Sequence, residues 1–178
     1  MKKRVLCLLT NGFEEIEAIT PIDLLRRAGI EVHIASLANA HIEGRNGIVV
    51  KSEGTLDDVD TQAFDLLFIP GGPGVNHLRS DGRAAKLARE FHDAGKLIAA
   101  ICAAPLVLKD AGLLVGKNFT AHFSVHDDLP GVSGEKVVED GNLITSRGAG
   151  TAMDFGLALV ARLAGLEAAE KVARDVMA

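Results

Sequence analysis

Tryptophan and tyrosine are absent from the 178 residues, and the seven phenylalanines are scattered. The chain therefore offers no aromatic platform on which nucleic-acid bases could stack. An extended basic block or tail is missing too. The 19 basic and 24 acidic residues are interspersed, for a net charge of −5, so a phosphate backbone would find no stripe of cations to displace its counterions. Long hydrophobic runs are also lacking. The longest uncharged apolar stretch, Leu97 to Leu108, has 12 residues and contains Pro105, against the ~20 needed to cross a bilayer. Met1-Lys2-Lys3-Arg4 before Val5-Leu6-Cys7-Leu8-Leu9 imitates a signal peptide, but that apolar run has only five residues and no small-residue cleavage site follows. The expectation is a cytoplasmic protein with no nucleic-acid or membrane partner. Cysteine is scarce: Cys7 and Cys102 are the two, and in a reducing compartment both are expected as free thiols.

What is present is ordinary globular material, 48% apolar and 24% charged, enough for one core. Arg4–Thr10, Glu31–Leu37, Phe64–Ile69 and Lys96–Cys102 are nearly continuous Val, Ile, Leu and Ala, the pattern of strands buried on both faces. Between them Glu14–Ala28, Asp81–Ala94 and Ala103–Ala111 have helical spacing and stop at Gly29, Gly95 and Gly112. Arg45-Asn46-Gly47 and Asp140-Gly141-Asn142 suggest hairpins, and Thr151–Ala164 and Glu167–Ala178 two closing helices broken at Gly165. Strands alternating with helices predict one three-layer α/β domain over residues 1–178, with a mostly parallel sheet. In such sheets ligands collect beyond the carboxyl ends of the strands.

Three segments follow those ends. Cys102 closes one strand and precedes a helix, with Ala100 and Ala104 two residues to either side. Small residues there suit a strained strand-to-helix elbow that exposes a nucleophile, and a helix start favours a thiolate. Cys7 lies inside its strand and reads as core. Pro70-Gly71-Gly72-Pro73-Gly74 lets backbone approach a ligand and offers N–H groups to an oxyanion, while matching neither dinucleotide nor P-loop patterns. Glu14, Glu15 and Glu17 open the first helix. They read as a solvated cap or as one inward-turned acid, and the pattern does not choose among the three. His122 and His126 could hold a metal if helical, but H-x-x-x-H lacks the glutamate of H-E-x-x-H. A single histidine near Cys102 as proton acceptor is the alternative. No metal site is expected.

Together, Gly12-Phe13-Glu14-Glu15-Ile16-Glu17-Ala18, Pro70-Gly71-Gly72, Ala99-Ala100-Ile101-Cys102-Ala103-Ala104-Pro105 and Thr145-Ser146-Arg147-Gly148-Ala149-Gly150-Thr151 resemble the ThiJ/PfpI family, in particular the branch of the Parkinson-disease-associated protein and its bacterial homologues. The resemblance covers nearly the whole chain. It implies a flavodoxin-like sandwich, related to class I glutamine amidotransferases, that forms a homodimer. It assigns the reactive cysteine to Cys102 and a partly protonated acid to Glu17. It also puts His122 near the cysteine and Arg45 near the pocket, with Arg26 or Arg27 adding charge from the dimer interface. It implies a cysteine-dependent glyoxalase or deglycase, free of cofactors, acting on methylglyoxal, glyoxal or their early adducts in carbonyl and oxidative stress. Gly71, Gly72 and Ala103 would then bind the substrate oxygen. The alternative is an oxidative-stress sensor or redox-regulated chaperone working through Cys102. A peptidase reading is weakened because Ala103 stands where the peptidase-like branch carries histidine. The amidotransferase pattern His-x-Glu is absent, since Phe123-Ser124 follows His122.

Overall fold

The computed structural model describes residues 2–178; Met1, the first residue of the signal-like start, lies outside them. Strands β1 (Arg4–Leu9), β2 (Glu31–Ser36), β5 (Gly54–Thr55), β6 (Leu66–Ile69), β7 (Leu97–Ile101), β8 (Val137–Asp140) and β9 (Leu143–Ser146) form a seven-stranded sheet. Its order is β5-β2-β1-β6-β7-β9-β8, parallel throughout except for β8 against β9. The five main parallel strands thus run 2-1-3-4-5, the flavodoxin order, whose switch point lies between β1 and β6. β3 (His41–Glu43) and β4 (Val49–Lys51) pair separately as an antiparallel hairpin around Arg45-Asn46-Gly47.

Alternation along the buried strands feeds two cores. Leu6 and Leu8 of β1 face one layer, and Val5, Cys7 and Leu9 the other. Helices α2 (Val75–Asp81), α3 (Arg83–Asp93) and α4 (Pro105–Asp110) cover the first. Helices α1 (Glu15–Arg27), α5 (Ala152–Ala164) and α6 (Leu166–Val176) cover the second. α5 closes tightly on α1 because residue 156 is glycine: a Cβ there would stand 2.6 Å from Leu24 Cδ1 and 3.1 Å from Pro21 Cα. Among the described residues no helix is long and apolar enough to cross a membrane.

Strand positions agree with the sequence pattern to within two residues. The helix expected over Asp81–Ala94 is α3, and a further helix not expected from the sequence, α2, precedes it and meets it where Gly82 adopts φ +80°. α2 was hidden because it follows directly on the glycine-rich loop. The helix after Cys102 is shorter than its spacing suggested, starting only at Pro105.

Candidate active site

The Cys102 elbow forms because β7 must end while the chain turns into α4. Cys102 sits at φ +66°, a left-handed conformation costing a non-glycine residue about 1–2 kcal/mol. Neighbours hold it there. The Cys102 N–H donates to Ser146 O at 2.9 Å, and the Cys102 carbonyl accepts from the His122 N–H at 2.9 Å. Ala100 and Ala104 are fully buried, so larger side chains at either flank would have no room. The thiol itself is half-buried.

Gly71 brings the other reactive group to it. A Cβ on Gly71 would lie 2.5 Å from both Cys102 Cβ and Glu17 Oε2, so only glycine allows the cysteine and the acid to meet. Gly72, at φ +94°, passes so close to the Gly12 carbonyl that a Cβ would approach it to 2.5 Å. Glu17 is 1% exposed. Its Oε2 accepts the Gly71 N–H at 3.0 Å, and that oxygen stands beside the Cys102 side chain across Gly71.

The three acids of the helix start therefore have three jobs. Glu14 is the N-cap and accepts the Glu17 N–H at 2.9 Å. Glu15 turns to the hairpin and accepts from Asn46 N–H at 2.7 Å and Asn46 Nδ2 at 3.0 Å. Glu17 alone points at the sulfur. The electrostatics follow from this packing. Burial pushes the Glu17 carboxyl up to about 7, with Glu14 adding to the effect and donors from Cys102, Gly71 and Ala149 opposing it. Burial, the Glu17 charge and the hydrogen bond to Glu17 push the Cys102 thiol up to about 12, against the N–H groups of Gly72 and Ala103.

The N–H groups at the helix start favour the thiolate, but burial and the Glu17 carboxylate outweigh them. The Gly71 N–H donates to Glu17, and Gly72 and Ala103 line the cavity beside Cys102.

His122 caps a 3-10 turn, Phe123–Val125, and its ring lies on the Phe123 ring with centroids 4.1 Å apart. His126 bonds separately to the Ala121 carbonyl, so the two histidines do not form the helical pair considered above. Arg45, on the hairpin turn, lines the same cavity as Cys102, Glu17 and His122, a space of about 560 Å³. Arg26 and Arg27 do not line it. They sit at the far end of α1, where Arg26 bonds the Val32 carbonyl and Arg27 pairs with Asp23. Glu14, one of the three acids considered, lines the cavity as well, and sequence reading missed Asn76, Arg79 and Ser124 as lining residues. Arg79 is gripped by Asp110 at 2.6 Å and 3.0 Å, and the Val75 and Leu78 spacing that marks its helix was the available signal. A cavity of about 680 Å³ at the amino ends of the strands, near Lys3, Arg4 and Lys96, contains neither thiol nor imidazole.

Residues 3–162 match the DJ-1/PfpI family. The chain belongs to that family. Protein dj-1beta of Drosophila melanogaster is 39% identical over 183 residues, covering 99% of this chain and 98% of that protein. The crystal structure of Drosophila melanogaster DJ-1beta superposes with a TM-score of 0.95 at 39% identity, over 99% and 98% of the two chains. A protein named Deglycase PfpI, from Pyrococcus furiosus, is 37% identical over 148 residues, 81% of this chain and 89% of that one. Family membership brings the flavodoxin-like fold with it.

Proposed function

We propose that this DJ-1/PfpI protein is a cysteine-dependent glyoxalase and deglycase acting on small α-dicarbonyls such as methylglyoxal. The observation that carries the reading is the buried Glu17 carboxyl set against the elbow cysteine, the two meeting at Gly71. The deglycase name of a relative at 37% identity supports it.

The chemistry follows from a single shared proton. Once the pair has lost its first proton, one remains between Glu17 and Cys102. When it sits on Glu17, the sulfur is a thiolate held by two backbone N–H groups. The thiolate attacks the aldehyde carbon, C1, and the new alkoxide O1 takes the Glu17 proton. This yields a neutral hemithioacetal beside a newly ionised Glu17, which is now a base at the reacting carbon. Glu17 removes the C1 proton, the C–H pair forms a C1=C2 bond, and charge moves to the ketone oxygen O2. Returning that proton to C2, with transfer of the O1 proton to O2, gives a lactoyl thioester. Water cleaves it to lactate and the free thiol. These steps call for no metal or organic cofactor.

Purified protein incubated with methylglyoxal should form lactate, followed by proton NMR, and Cys102→Ser should lower the rate by more than about 10³-fold. Equal lactate formation by the serine variant would overturn the reading.

A further inference from the structure

The sequence leaves Glu17 and His122 as alternative proton carriers, and the surroundings of the imidazole separate their roles. Nδ1 of His122 accepts the Ser124 backbone N–H at 3.3 Å. A backbone N–H can only donate, so Nδ1 presents a lone pair and the ring proton sits on Nε2. The Ser124 hydroxyl, 2.9 Å from the same nitrogen, then donates as well. Phe123 covers one face of the ring, and the His122 main chain is tied to the Cys102 carbonyl. The other edge of the ring turns inward. A Cβ on Gly148 would lie 3.3 Å from His122 Cδ2 and 3.7 Å from Glu17 Oε1, so that edge and the carboxyl converge on one glycine.

We propose that Ser124 is a positioning residue that holds His122 as a neutral imidazole, with Nε2–H presented to the second oxygen of an α-dicarbonyl attached to Cys102. This rests on the dicarbonyl reading above. Glu14 and Glu17 from α1, Arg45 from the hairpin, Arg79 from α2, Cys102 from the elbow, and His126 and Asp128 from the ring's own segment are the charged or titratable groups around it. Burial, His126 and Arg45 hold its pKa below the ordinary value, so the ring stays neutral near pH 7. His122 is then a donor and Glu17 the base. As Glu17 takes the C1 proton, the C2=O pair moves onto O2 and Nε2–H meets the growing charge. The O1 proton then passes to O2 and Glu17 returns its proton to C2. A simple aldehyde has no second oxygen for this donor, which makes His122 the group that selects α-dicarbonyls.

Long-range proton–nitrogen NMR on the full chain with labelled histidine reads the tautomer directly. The expected spectrum has a protonated Nε2 and an acceptor Nδ1 for His122. Ser124 is exposed, so Ser124→Ala leaves the core intact. Its kcat on methylglyoxal should fall about tenfold with KM within about twofold, the size of one lost hydrogen bond. Ser124→Thr should recover most of the loss. Alkylation of Cys102 by iodoacetamide should stay within about twofold in both variants, because damage to the elbow would change it and loss of the hydroxyl's hold on the ring would not. An Nδ1–H tautomer in the wild type, or an unchanged kcat in Ser124→Ala, overturns the proposal. A wild-type protein inactive on methylglyoxal overturns the enzymatic reading instead, while the NMR spectrum still decides the tautomer.

Discussion

Between the first ionisation of the Cys102–Glu17 pair near 7 and the second near 12, a single proton serves both groups. Glu17→Gln removes one of the two sites, leaving a thiol that neither borrows an acid proton nor faces a carboxylate. Its titration, followed by thiolate absorbance, should show one step lying between the two wild-type values, with turnover reduced by about 10²-fold or more. A step at or below 7 would mean the acid plays no part in the pair. The same shift bears on stability. Because Glu17's folded value is raised, its contribution favours the fold below about pH 4 and is lost as pH rises through about 7. The ionised carboxyl then costs on the order of 3 kcal/mol, so Glu17→Gln should melt higher than wild type at pH 8, the gap closing toward pH 4. Equal melting temperatures at pH 8 would contradict this. Cys7 is different in kind: it is fully buried and its thiol is pushed far up by burial. A limiting dose of iodoacetamide should label Cys102 first, read by mass spectrometry of the peptides, and preferential labelling of Cys7 would remove Cys102 as nucleophile.

At the scale of elements, Glu15 joins α1 to a hairpin that has no hydrogen-bonded neighbour in the main sheet. The turn is built around its carboxylate, and a Cβ on Gly44 would fall onto it. Burial raises the Glu15 carboxyl, but the donors from Asn46 and Ile48 outweigh it and hold the group below its ordinary value. The clamp is therefore present above about pH 4 and lost as pH falls through that lowered value. Glu15→Ala should cost about 1–3 kcal/mol and raise hydrogen exchange over residues 41–51 while leaving β1, β6 and β7 protected. Uniform deprotection of the whole chain would show that the hairpin does not open as a unit. By residue pattern alone, Glu14, Glu15 and Glu17 are equivalent acids at a helix start, and only the family resemblance singled out Glu17. What separates them is the direction each faces, and those directions lead to a helix end, a hairpin and a thiol that lie far apart in the chain.

At the scale of the whole molecule, an apolar face remains uncovered. Ile16 and Ile19, one helical turn apart on α1, are 53% and 40% exposed, and Ile48 and Val49 of the adjoining hairpin 57% and 55%. Glu15 binds Ile48 N–H at 3.5 Å, which places the two pieces side by side. A second copy of the chain is the proposed cover, as the family resemblance implies. Sedimentation should give twice the 18.7 kDa chain mass, and Ile16→Glu should shift the protein to monomer. A wild-type monomer at concentrations of tens of micromolar, on the order expected for a weak contact, would reject the dimer.

Much of this architecture was legible because it depends on local chemistry. Continuous apolar runs make strands buried on both faces, glycines end helices, and Ala100, Cys102, Ala104 and Pro105 together spell a strand-to-helix elbow. The hairpin at Asn46-Gly47 needs only its own turn residues. The ionisation of the site was not legible. Nothing in the spacing of Glu17, Gly71 and Cys102 tells that the acid will be buried against the sulfur, and that burial pushes both groups up. The tautomer of His122 is equally a product of tertiary structure, because a ring nitrogen becomes donor or acceptor only when folding chooses which N–H stands beside it.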